Sequence, residues 1–162
     1  MFLYGVLPND IDMAKVAEIV IHDTEEEYLA EFISTFVGKP FALSGVAVSI
    51  VEADFHHVFS EPKKGGSGAR EFSKRRAKKM RFIQSILSGE MLTEVMLEHD
   101  TGNIAVFCTD LDCVIYLRVR KGSGKLQLGT FFDFGREHTK MYEKQKRKCA
   151  PVSETHLQEL VS

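Results

Sequence analysis

Residues 95–132 read VMLEHDTGNIAVFCTDLDCVIYLRVRKGSGKLQLGTFF, and their apolar side chains recur at every second position. Val95 and Leu97 alternate first, then Ile104, Val106 and Cys108, then Ile115, Leu117 and Val119, then Leu126 and Leu128. A period of two belongs to a strand with one face against a core. The three connections are Asp100-Thr101-Gly102-Asn103, Asp110-Leu111-Asp112 and Lys121-Gly122-Ser123-Gly124, all rich in turn formers. Four strands joined this way are most economically a four-stranded antiparallel meander.

Upstream the period changes. Pro8-Asn9-Asp10 supplies a helix start, with Ile11, Ala14, Lys15 and Ile19 at helical spacings. A second helix opens at Thr24, where Glu27 three residues on completes a capping box. Tyr28, Leu29, Phe32, Ile33 and Phe36 give it an apolar stripe, and Gly38-Lys39-Pro40 ends it. Val46, Val48 and Ile50 share one parity in a β-branched and aromatic stretch, which predicts an extended segment from Val46 to Phe59. Lys63 to Gly68, KKGGSG, has the composition of a mobile loop. Over residues 70–88, Phe72, Met80, Ile83 and Leu87 share a helical face while Arg70, Lys74, Lys78 and Arg81 line another, which predicts one basic amphipathic helix.

The predicted fold class is therefore α+β, with N-terminal helices and a basic amphipathic helix packed on a C-terminal four-stranded antiparallel meander. At 162 residues and 44% hydrophobic content, one core is the expectation and two would be thin. The single domain 1–162 divides into an acidic helical part over 1–44, an α+β core over 45–135 and a basic C-terminal arm and tail over 136–162. No run approaches the roughly 20 apolar residues that span a bilayer, and the N-terminus has no secretory pattern, so no membrane and a cytoplasmic location are expected. Cys108, Cys113 and Cys149 contain no CxxC pair and read as buried reduced thiols, with no metal site and no cofactor.

The formal net charge of −2 conceals a segregation. Residues 1–61 hold 11 acids against Lys15 and Lys39, whereas residues 62–82 hold nine bases against Glu71 alone. A second basic cluster runs from Arg136 to Lys148. Concentrated Lys and Arg raise the local potential and attract polyanions whatever the net charge, and nucleic acid is the commonest such partner. Lys63, Lys64, Arg70, Lys74, Arg75, Lys78 and Arg81 are the candidate phosphate contacts. A solvated helix face balanced by the acidic half is the plainer reading of the same charges.

Asp54-Phe55-His56-His57 precedes the basic segment. In an extended chain Asp54 and His56 would share a face, the carboxylate fixing the tautomer of an imidazole that transfers protons near neutral pH. A His pair packed at a strand end is the alternative. On the third strand of the meander Tyr116, Arg118 and Arg120 share the parity opposite to Ile115 and Leu117, so an aromatic and two guanidiniums would project together to stack a base and hold a phosphate. Thr130 follows Gly129; strict alternation from Leu126 and Leu128 would bury it, and a bulge at Gly129 would turn it outward. The chain contains no P-loop, dinucleotide-binding glycine pattern or Gly-x-Ser-x-Gly elbow.

Helices, a His ending an extended segment, a basic helix, and a meander closing on Leu126-Gln127-Leu128-Gly129-Thr130-Phe131-Phe132 form an order that resembles the barnase, EndoU, colicin and RelE superfamily of small ribonucleases, and in layout its phage-borne members. The resemblance spans residues 50–134. It implies metal-independent cleavage of RNA, with His56 or His57 as the early histidine, Arg118 or Arg120 as the sheet cation and Thr130 as the last-strand hydroxyl. A histidine would take the proton of a 2′-hydroxyl, which attacks the adjacent phosphate. The competing expectation is a non-catalytic RNA-binding protein, such as a phage accessory or inhibitor protein that engages nucleic acid or a nucleoprotein through the basic segment. A third is docking of an acidic protein partner, or of the chain's own acidic half in a homodimer.

Overall fold

The computed structural model describes residues 19–66, 68–134 and 139–162. The helix expected from Pro8 to Ile19 falls almost wholly outside them, as does Arg136 of the second basic cluster. The described residues form a mixed α+β structure: six helices and a seven-stranded mixed sheet, with a separate two-stranded ribbon.

Helix α1 spans Glu25–Phe36. Thr24 caps it, its Oγ1 accepting from the Glu27 amide at 3.2 Å, and three glutamates occupy the first turn where the helix dipole favours them. Tyr28, Phe32 and Phe36 are its buried face. Strands β1 (Phe41–Leu43) and β2 (Val46–Ser49) follow as a hairpin. Its two-residue turn, Ser44-Gly45, has positive φ at both positions, the geometry that matches strand twist. Then come helix α2 (Asp54–Val58), strands β3 (Ser60–Pro62) and β4 (Arg70–Phe72), and helices α3 (Lys74–Ala77) and α4 (Met80–Leu87). The long strands are β5 (Glu94–Glu98), β6 (Ile104–Cys108), β7 (Cys113–Arg120) and β8 (Lys125–Asp133). Helix α5 (Thr139–Arg147), strand β9 (Cys149–Pro151) and helix α6 (Glu154–Val161) end the chain.

The sheet order is β1-β2-β8-β7-β6-β5-β9, so the expected four-stranded sheet is corrected to a larger, mixed one. Strands β5 to β8 are antiparallel neighbours within it. Two additions come from outside the alternating stretch. Strand β2 pairs parallel with β8 over Lys125–Gln127, and β9 pairs antiparallel with β5. Strand β2 begins the segment expected to be extended from Val46, whereas β9, three residues long, is too short for a periodicity to show. The segment expected as a basic arm is thus partly a sheet edge, and Leu157 and Val161 of α6 enter the main core.

The sheet separates two apolar clusters. The larger contains Tyr28, Phe32, Phe36, Phe55, Phe59, Met80 and Ile83 from the helices, with Ile115, Leu117, Leu128 and Phe131 from the sheet. The smaller, on the other face, contains Met96, Phe107, Val114, Phe134 and Tyr142, with Tyr116 and Phe132 packed against it. Strand β8 serves both through a β-bulge: Leu117 pairs with Leu128 but Tyr116 pairs with Thr130, leaving Gly129 unopposed. Beyond the bulge the parity inverts, so Phe131 is buried in the first cluster and Thr130, half-buried, shares the opposite face with Tyr116.

Two corrections concern the helical half. The stretch expected to stay extended to Phe59 leaves the sheet after Ser49 and coils into α2. The cause is Asp54, whose carboxylate accepts from the Val51 amide at 2.9 Å and from Gln127 Nε2 at 3.1 Å, closing the turn before the helix. The single helix expected over 70–88 is three elements. Arg70 to Phe72 pair with β3, and Ser73 caps α3 by accepting from the Arg76 amide at 3.2 Å. The helix then breaks at Lys78, whose carbonyl accepts from Val20 N at 2.8 Å; Phe82 N turns instead to Lys79 O.

A Cβ on Gly129 would lie 3.0 Å from the Tyr116 carbonyl and 3.4 Å from Arg118 Cγ. Gly129→Ala is therefore expected to destabilise the protein by about 1–3 kcal/mol in urea unfolding, because backbone must move to admit the methyl. Helix α1 is tied to α4 by a bidentate pair, Arg81 Nε and Nη2 donating to Glu31 at 2.9 and 3.0 Å. Burial works to raise the Glu31 pKa, but hydrogen bonds from Arg81 and His22 and their charges outweigh it and the net shift is downward. A lowered folded-state pKa contributes stability above the unfolded value, lost as pH falls through the folded one. Thermal unfolding should accordingly show Glu31→Gln removing part of the stability loss that wild type suffers below the ordinary carboxylate range.

Candidate functional site

Helix formation at Asp54–Val58 abolishes the expected sharing of a face by Asp54 and His56. Asp54 is buried in its structural role, whereas His56 and His57 point to solvent. Phe55 and Val58 hold the helix from beneath, with the Phe55 ring 5.6 Å from Phe32 and 5.8 Å from Phe72. His56 Nδ1 stands 4.0 Å from Glu25 of α1, so the carboxylate beside this imidazole is Glu25 and not Asp54.

The two histidines line a cleft of about 380 Å³ together with Glu25, Ser60, Arg70 and Glu71. Its far wall is the β3–β4 ribbon, in which Ser60 faces Phe72 and Pro62 faces Arg70. Arg70 is placed by two bonds to Ser60, Nε to the hydroxyl and Nη2 to the carbonyl, each 2.9 Å. That leaves Nη1 of a fixed guanidinium free of a protein partner among the described residues. Lys63 and Lys64 follow directly on β3, so they stand exposed next to this cleft's ribbon.

The nine bases from Lys63 to Arg81 divide in two. Arg70 is held by Ser60 and Arg81 by Glu31. Arg76 is buried, donating to the Ser60 carbonyl at 2.9 Å with its guanidinium carbon 5.1 Å from the Phe132 ring centre. Arg75 and Lys79 both reach buried Asp133, Arg75 at 3.5 Å. Only Lys63, Lys64, Lys74 and Lys78 have neither an ion-pair nor a side-chain hydrogen-bond partner among the described residues, so the expected basic face is reduced to these four.

Tyr116, Arg118, Arg120 and Thr130 lie away from the histidines. Tyr116 and Thr130 are cross-strand partners lining a second cavity of about 330 Å³, which shares no residue with the first. Arg118 is exposed with its side chain over Gly129, and Arg120 is exposed at the end of β7. The sequence reading missed Glu98, Asn103, Phe132, Phe134, Met141 and Gln145, which line the same cavity. Phe132 and Phe134 carried a signal, since a bulge at Gly129 puts them on the Thr130 face; Met141 and Gln145 are neighbours only in space. Burial first, and then the Glu98 carboxylate, push the Tyr116 phenol above its ordinary pKa, so it remains a hydrogen-bond donor at physiological pH.

Among the described residues no group of three His, Cys, Asp or Glu is placed to hold a metal, and no helix is long and apolar enough to cross a membrane. Cys108, Cys113 and Cys149 are buried and free. The chain matches no protein family, no curated protein and no solved structure.

Because Asp133 gathers two cations, Asp133→Ala should cost about 1–3 kcal/mol in chemical unfolding, the cations being able to turn to water. Lys74→Ala, with no ion-pair partner to lose, should change stability by no more than about 0.5 kcal/mol.

Proposed function

We propose that the protein is a ribonuclease working through its own side chains, with His56, His57 and Arg70 as the reacting set. The observation that carries this is their place on one cleft: two exposed imidazoles and a guanidinium with one nitrogen unbonded among the described residues. One neutral imidazole takes the proton of an RNA 2′-hydroxyl, whose oxygen attacks the adjacent phosphorus. The bond from phosphorus to the 5′-oxygen breaks, and the other imidazole, protonated, delivers a proton to that leaving oxygen. The products are a 2′,3′-cyclic phosphate and a 5′-hydroxyl. Arg70 Nη1 neutralises charge developing on the phosphoryl oxygens, and Lys63 and Lys64 draw the backbone toward the cleft. DNA lacks the attacking hydroxyl and is not a substrate.

In this reading Arg118, Arg120 and Thr130 take no part in the bond-breaking step. The resemblance assigned them the cation and hydroxyl roles, and they stand on the cavity side of the sheet. The competing proposal, a non-catalytic RNA binder, rests on the four unpaired lysines alone.

Purified protein incubated with single-stranded RNA in EDTA should yield cyclic-phosphate ends. His56→Ala, His57→Ala and Arg70→Ala should each lower the rate by about 10²–10⁴-fold, the usual contribution of a positioned acid, base or charge. Intact RNA with wild type across several sequences, or undiminished cleavage by both histidine variants, overturns the proposal. RNA bound in a salt-dependent manner but never cut would favour the binder.

A further inference from the structure

We infer that the cavity between the sheet and α5 is a nucleotide site, taking a planar base inside and leaving the phosphate outside, toward Arg118, two residues along β7 from the Tyr116 wall. Three features of the walls lead there. Tyr116, Phe132 and Phe134 supply flat apolar surface, and the last two rings pack 4.8 Å apart. Arg76 stands over Phe132, and Tyr142 meets Phe134 edge-on with ring centres 5.4 Å apart, so both rings are held in place by a packed neighbour. At about 330 Å³ the space lies within the range of small-ligand sites.

The polar groups narrow the ligand. The side chains of Asn103, Tyr116, Thr130 and Gln145 line the cavity without a hydrogen-bond partner among the described residues. Two amides and two hydroxyls offer donors and acceptors together, the pattern needed to read the edge of a heterocycle that itself presents both. A hydrocarbon or lipid chain would leave all four unpaired at a cost for each. A polyanion has no place inside, since Glu98 lines the same wall. A single phosphate is instead matched by Arg118, exposed over Gly129 beside Thr130 and without an ion-pair partner among the described residues.

The lid is built as well. Tyr142 anchors α5, its hydroxyl 2.9 Å from Thr109 Oγ1 and its ring 5.3 Å from Phe107. Met141 and Gln145, four residues apart, fall on one helical face over the cavity. The same chemistry serves a free mononucleotide or one unit of a single strand. Neither depends on cleavage, because the cavity and the histidine cleft share no residue.

The test is calorimetric titration of protein carrying His56→Ala and His57→Ala, so that nothing is cut, with adenosine, AMP, UMP and a single-stranded hexanucleotide. Saturable binding is expected, weakened at least about tenfold by Asn103→Ala or Tyr116→Ala, a loss of about 1.4 kcal/mol. Arg118→Ala should weaken AMP but not adenosine. AMP binding as tight per site as the hexanucleotide identifies a free nucleotide; a hexanucleotide bound more than about tenfold tighter identifies a strand. Gln145→Ala, on a half-buried position, carries the test if Tyr116→Ala does not fold. No saturable binding of any probe, or unchanged affinity in Asn103→Ala and Gln145→Ala, overturns the inference. Failure of wild type to cleave RNA overturns only the ribonuclease proposal.

Discussion

The extra residue at Gly129 is the constraint on which both faces of this protein depend. Strand β8 enters the sheet with Leu126 and Leu128 toward the helices and leaves it with Phe131 on that same side. Without the bulge Thr130 would be driven into an aromatic core and Phe131 into the cavity, since side chains on a strand strictly alternate. The neighbouring carbonyl of Tyr116 approaches so closely that a side chain on residue 129 has no room. One glycine therefore keeps the main core dry and gives the opposite face its hydroxyl and its two phenylalanine walls.

The same strand explains where the basic segment goes. Strand β2 covers β8 only from Lys125 to Gln127, and α2 and α3 lie against β8 as well. An uncovered strand edge invites pairing with other chains, and two short helices close it here. Asp54 reaches Gln127, and Asp133 takes Arg75 and Lys79. These contacts turn part of an apparent surface charge run into internal fastening. The acidic N-terminal half takes a share through Glu31, whose bond to Arg81 joins α1 to α4. Segregated charge along the chain thus becomes partly paired charge in space, and the four lysines left over sit on the β3–β4 hairpin and at α3.

Chemistry is divided between the two sides of the sheet. Imidazoles and a fixed guanidinium gather on the helical side, where α2 and the ribbon are packed on Phe55, Phe59 and Phe72. Aromatic rings and uncommitted amides gather on the other, under α5. Exposed titratable groups and an open aromatic cavity thus occupy different surfaces. Arg76 touches both sides, bonding the ribbon at Ser60 and facing the Phe132 ring.

The alternation from Val95 to Leu128, the capping box at Thr24 and the stripe through Tyr28, Phe32 and Phe36 were legible in the sequence because each is a local rule repeated over enough residues to show. So was the latent bulge, since a glycine in a strand stands out. Strands β1 and β9 were not, because three residues carry no period; β2 was legible as extended chain from Val46 and Val48, but its place beside β8 is set by the edge it joins. The helix at Asp54–Val58 was hidden because its turn depends on a carboxylate meeting Gln127, seventy-three positions away. The 70–88 stretch reads as one helix by periodicity and is broken by a hydrogen bond from Val20, which no local pattern contains. Of the candidate residues, the sequence named His56, His57, Arg70 and Tyr116 by their chemistry, and the resemblance added Thr130. Tertiary structure alone separated them into two groups, because which side chains share a surface depends on strand register and helix placement.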